Sequence, residues 1–112
     1  MKPEIISFKH CYHKLSQNIF TTVRGKAYFK RLKIGMSVTV ETPGVSFHAT
    51  VTNLELRRVN EMPLTFLKAD AEYPGFFIHS PNDFIDLLNS FRPPVWAQVE
   101  LNSELTIITL QK

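Results

Sequence analysis

The sequence predicts an α+β protein built as a small mixed β-barrel with short helices at its ends. Three observations carry this. First, β-prone stretches recur along the 112 residues, at 5–7, 19–24, 37–42, 45–59, 95–101 and 105–110. Second, helices of regular length do not separate successive stretches, which argues against a doubly wound parallel sheet. Third, the longest stretch changes phase. Val45, Phe47, Ala49 and Val51 alternate with polar neighbours, then Leu54 and Leu56 fall one residue out of step. That predicts a bulge or bend near Asn53, the means by which one strand turns the corner of a small barrel.

Taken in order, Ile5-Ile6-Ser7 reads as a short first strand. Phe8, Cys11, Tyr12 and Leu15 then follow the i, i+3, i+4, i+7 spacing of one helix face, so a helix is expected over 8–17, with Cys11 a small buried residue. Ile19 to Arg24 is short and rich in β-branched residues, and Gly25 ends it. A loop or single helical turn follows, closed by Gly35 at a tight turn. Ser37 to Thr42 is a half-buried strand, and Pro43-Gly44 turns it into the long bent one.

Pro63 to Glu72 is helix-competent, with proline in the first turn, where a missing N–H costs nothing. The clearest helix starts at Ser80-Pro81 with Asp83 in its first turn. It carries Phe84, Leu87, Leu88 and Phe91 on one face and stops at Pro93-Pro94. Val95–Leu101, which contains Trp96, and Leu105–Leu110 read as a closing pair of strands joined at Asn102-Ser103.

The length is that of one domain, residues 1–112, large enough to bury one core. No apolar run approaches a bilayer span and the N-terminus lacks the pattern of a secretory signal, so no membrane contact is expected. A single cysteine excludes an internal disulfide and fits a reducing compartment, and a cytoplasmic protein is expected. His10, Cys11 and His13 lie close together, but no second ligand pair with suitable spacing exists, so neither a metal nor another cofactor is expected.

Charge is distributed unevenly. Residues 1–40 hold eight basic side chains against Glu4 alone, and residues 41–112 hold five against nine acidic ones. The concentration lies in Phe20–Val40, where Arg24, Lys26, Lys30, Arg31 and Lys33 surround Tyr28 and Phe29. A cationic, partly aromatic connection between two strands suits phosphate contacts. A solvated basic face around core aromatics is the plainer alternative. There is no phosphate-binding P-loop and no nucleophile-elbow motif.

The order of elements, with Ser16–Arg24 followed by Leu32-Lys33-Ile34-Gly35-Met36-Ser37-Val38, resembles the ASCH domains of the PUA-like group. The resemblance implies a PUA-like barrel that binds RNA or a nucleotide. Arg24 and the Ile34-Gly35 corner match the family's G-x-K-x-x-E-x-R pattern and the strand that follows it. Gln17, Ile19 and Thr22 stand at its glycine, lysine and glutamate positions. One group with this layout, the small bacterial acetylcytidine amidohydrolases, works through a lysine, a threonine and a glutamate. Thr22 carries over, Glu72 lies near the glutamate's place, and the lysine place holds Ile19, which cannot transfer a proton.

Three functions therefore stand at the level of sequence. In the first, phosphates lie along Arg24, Lys26, Lys30, Arg31 and Lys33. A base or small ligand enters a cleft between the Thr21–Arg24 strand and the Pro63–Glu72 helix, with Thr21, Thr22 and Glu72 offering polar contacts. The second is a hydrolase for a modified nucleoside that uses Thr22, Lys26 and Glu72. The third is a protein-interaction domain whose basic face meets an acidic partner.

Overall fold

The computed structural model describes residues 4–92 and 98–112. Its centre is a five-stranded mixed sheet in the order β1-β3-β4-β5-β2. The strands are β1 (Glu4–Ser7), β2 (Ile19–Arg24), β3 (Ser37–Thr42), β4 (Val45–Arg58) and β5 (Glu104–Gln111). Strand β1 runs parallel to β3, while β3–β4, β4–β5 and β5–β2 are antiparallel. Among the described residues β1 and β2 share no ladder, so the sheet is open and the expected closed barrel is not formed.

The expected phase change in β4 is present. Its register against β5 shifts between Val51 and Asn53, and this strand pairs with β3 through its first half and with β5 through its second. Hydrophobic alternation sets the buried face: Val38, Val40, Ala49 and Val51 are buried while Ser37, Thr50 and Thr52 are exposed. Strand β5 is different. Leu105, Thr106, Ile107 and Ile108 are buried in succession, as befits a strand flanked by two others and covered on both faces. The β3–β4 turn uses Gly44 at φ +89°, a left-handed conformation that a side chain would strain.

Helices α2 (Leu64–Ala71) and α3 (Pro81–Ser90) lie where the sequence places them. α3 buries Phe84, Ile85 and Leu87, and its entry is fixed by the Asp83 carboxylate, which accepts the His79 and Ser80 N–H groups at 2.7 and 3.2 Å. The single turn α1 (Tyr28–Arg31) fills the basic connection.

Three expectations are corrected. Residues 8–17 do not form a helix. Tyr12 has extended backbone (ψ 142°), and only a 3₁₀ turn, His13–Ser16, follows. Phe8 and Tyr12 are buried because their rings pack edge to face at 5.7 Å, not because they share a helix face, and Cys11 is exposed instead of buried. The closing hairpin is absent among the described residues. Residues 98–101 are not in a strand, and β5 pairs with β4 and β2 instead. Trp96 and the rest of that expected strand fall outside the described residues.

Candidate functional site

The two edge strands approach each other at one end of the open sheet, and the site sits in that gap. Arg24, the last residue of β2, reaches across and donates from Nη2 to the Ser7 carbonyl of β1 at 2.8 Å. Its Nε donates to Thr22 Oγ1 at 3.1 Å. The guanidinium lies 5.0 Å from the centroid of the Phe8 ring. Burial lowers the Arg24 pKa from its ordinary value, and Tyr28, Asp70 and Tyr12 oppose the shift.

Behind Arg24 lies a buried ion pair. Lys14 Nζ donates to Asp70 Oδ1 at 3.2 Å, and the side chains are only 7% and 5% exposed. Thr21 Oγ1 donates to the same oxygen at 2.7 Å. The ammonium also sits 5.0 Å and 5.2 Å from the Phe8 and Tyr12 ring centroids. Burial pulls the Lys14 pKa down, with Asp70 pulling it back up, so the neutral amine is easier to reach than at a surface lysine. Burial foremost, with Tyr73 and Asp70 adding, pushes the Tyr12 phenol up to about 12.

These groups open onto a cleft of about 380 Å³, within the range of small-molecule sites. Lys14, Thr22, Arg24 and Asp70 supply its polar wall, and Phe8, Tyr12 and Tyr28 its aromatic one. Leu87, Leu88 and Phe91 of α3 and its end face them. Both bonds to Asp70 fall on one oxygen, so among the described residues its second oxygen has no protein donor. Thr22 accepts from Arg24 and keeps its own hydroxyl proton to donate.

The residues singled out by sequence divide three ways. Thr22 and Arg24 line the cleft, and Thr21 supports it through Asp70. Lys26 and Arg31 lie outside it in surface ion pairs, Lys26 with Glu104 at 3.0 Å and Arg31 bidentate to Glu4 at 3.0 and 2.7 Å. Lys30 and Lys33 are exposed on the same loop. Thr106 anchors the loop's start by donating to the Gly25 carbonyl at 2.9 Å. Glu72 does not reach the cleft. Its carboxylate accepts the Ile78 N–H at 2.8 Å and lies 3.5 Å from Lys68, bracing the turn after α2.

Sequence reasoning missed Lys14, Asp70, Phe8 and Tyr12 as site residues. A signal for Asp70 was present: with Leu67 and Ala71 it forms the buried stripe of α2, a carboxylate in an apolar position. Lys14, between Tyr12 and Leu15, is its partner.

Comparison with known proteins adds one relative. The chain is 41% identical over 109 residues to an uncharacterized protein, MJ0364, of Methanocaldococcus jannaschii, covering 96% of this chain and 94% of the relative. No family model matches, and no solved structure matches.

Proposed function

The chain belongs to the family of this archaeal protein, and from its cleft we propose that it binds a nucleotide or an RNA segment, with one base held between the sheet and α3. The observation that carries the reading is the convergence of Lys14, Thr22, Arg24 and Asp70 on a cleft walled by Phe8, Tyr12 and Tyr28. A base needs an apolar or aromatic slot and a few fixed donors and acceptors for its edge. The cleft offers the Thr22 hydroxyl, the two cations and the Asp70 oxygen that has no donor among the described residues. Lys30 and Lys33, on the loop that begins at the cleft's Gly25, supply phosphate contacts.

The resemblance carried by Arg24 and the Ile34-Gly35 corner supports reading the domain as PUA-like of the ASCH type, with an open sheet in place of the closed barrel. Binding of ribonucleoside monophosphates and short RNAs, measured by calorimetry at several salt concentrations, tests the reading. RNA affinity should fall steeply with salt and be lost in Lys30→Glu/Lys33→Glu. A flat salt response, or no binding at low salt, rejects it.

A second reading, hydrolysis of an acylated nucleoside, is favoured by one observation. The lysine missing at Ile19 has a counterpart in Lys14, which shares the cleft with Thr22 and a carboxylate, Asp70. In this scheme Thr22 Oγ attacks the acyl carbonyl carbon, and neutral Lys14 takes the hydroxyl proton and returns it to the departing amine. Water then releases the acyl group. Lys14 and Asp70 thus take the places first given to Lys26 and Glu72. Deacetylation of N4-acetylcytidine that is abolished by Lys14→Met and Thr22→Val, and untouched by Glu72→Ala, establishes it. Absence of turnover leaves the binding reading alone.

A further inference from the structure

His10, Tyr73 and Phe76 form a pile of three rings beside the cleft. His10 and Tyr73 are 4.0 Å apart between centroids and 8° from parallel, and Tyr73 and Phe76 are 4.9 Å apart and 13° from parallel. A tight turn through Pro74-Gly75 brings the last two together. Phe76 N–H donates to the Tyr73 carbonyl at 2.8 Å, and Gly75 sits at φ +87°. All three rings are only half-buried, and Phe77 beside them is 59% exposed. The core rings behave differently: Phe8 meets Tyr12 and Phe20 edge to face, at 69° and 65°. Parallel stacking is thus found among these half-buried rings, while the core rings meet edge to face.

The pile is continuous with the cleft. Tyr12, on the cleft wall, meets Tyr73 edge-on at 5.5 Å, and Phe91, also on the wall, is 5.9 Å from His10. Cations gather at the same mouth. Lys9 lines the cleft with its Nζ 5.2 Å from the Phe91 ring centroid, and Arg92 lines it too. On the far side, a shallow groove along Phe76 and Phe77 is bordered by Asp83 and Asp86. Phosphates are therefore favoured on the Lys9 side and repelled on the side of Asp83 and Asp86. Stacked aromatics beside cations are what single-strand binding surfaces combine.

We propose that the His10–Tyr73–Phe76 pile stacks the base adjacent to the one held in the cleft, with the intervening phosphate on Lys9. The preferred ligand is then a single-stranded RNA segment and not a free nucleotide. The proposal rests on the cleft being a base site. A stacked base contributes on the order of tenfold in affinity.

The test compares the four ribonucleoside monophosphates with a mixed-sequence hexaribonucleotide on the intact chain and on His10→Ala and Phe76→Leu. Phe76→Leu keeps an apolar filler but removes the ring, and thermal melts establish that each variant folds. The hexanucleotide should bind at least about tenfold more tightly than the best monophosphate. The variant that removes the ring on which the base lies should lose about tenfold on the hexanucleotide, and neither variant should lose anything on the monophosphate. If monophosphates bind and the hexanucleotide binds no more tightly, or if both variants keep full hexanucleotide affinity, the stacking surface is overturned and the cleft reading stands. If neither ligand binds, the cleft reading falls and takes this proposal with it.

Discussion

Replacing Asp70 by alanine removes the carboxylate of the buried pair and, with it, the acceptor of the Thr21 hydroxyl. Asp70 gives Lys14 its one carboxylate partner among the described residues, at 3.2 Å, in a place where the lysine side chain is 7% exposed. Removing the carboxylate leaves an ammonium with little water and no countercharge, which costs about 3–5 kcal/mol. At about 4 °C per kcal/mol for a chain of this size, the melting midpoint should fall by about 12–20 °C. The sign of the pH dependence follows from Lys14. Burial holds its native pKa below the ordinary 10.5, and further below once Asp70 is gone. Between the lowered value and 10.5 the unfolded chain binds more protons than the native one, so stability rises with pH there. The deficit of Asp70→Ala should therefore shrink from pH 7 to pH 10. Adding Lys14→Met, which removes the stranded charge, should recover at least about half of it. Urea denaturation of the four proteins of this cycle at both pH values measures all three effects. A deficit below about 1 kcal/mol, or one that does not change with pH, would refute the argument that the pair is desolvated.

Three more outcomes follow from the same geometry. Tyr12, raised to about 12, should ionise in an absorbance step near pH 12 that Tyr12→Phe removes. Its contribution to stability is complete below pH 10 and fades as pH rises through the native value. Glu72→Ala strips the Ile78 N–H of its acceptor and should cost about 1–2 kcal/mol in denaturation while leaving cleft binding intact. A loss of affinity with unchanged stability would return Glu72 to the site. Asp83→Ala releases the His79 and Ser80 N–H groups and should lower stability by about 1 kcal/mol, read from the thermal midpoint.

What could be foreseen from sequence was what neighbours along the chain decide. α3 announced itself through Ser80, Pro81 and Asp83 because capping is a local matter. The displaced alternation at Leu54 and Leu56 showed the bend in β4 because pleat and burial share a period of two. Gly44 marked the β3–β4 turn for the same local reason. The segment 8–17 misled because edge-to-face packing of Phe8 and Tyr12 imitates helical spacing, and nothing within those ten residues reports the surrounding rings. The site was only half legible. Thr22 and Arg24 lie on β2 and could be read directly, whereas the Lys14–Asp70 pair joins residues from two distant segments through the packing of α2 against the His13–Ser16 turn. Charge density pointed to the basic loop, yet Lys26 and Arg31 are engaged by Glu104 and Glu4, which only the fold could reveal.

The strand order has a consequence for how the chain is made. β5 is the last strand in sequence but lies between β4 and β2 in the sheet, and Phe20 pairs with Leu110. During synthesis β2 therefore leaves the ribosome well before its partner and waits, with its pairing edge unfilled, until residues 104–111 have emerged. Long-range pairing of this kind is slow to form. The β3–β4 hairpin, a local pair, is the element that can assemble first and shelter Val38, Val40, Ala49 and Val51. Pairing of β5 with β4 and β2 completes the sheet and brings Leu105 to the cleft wall.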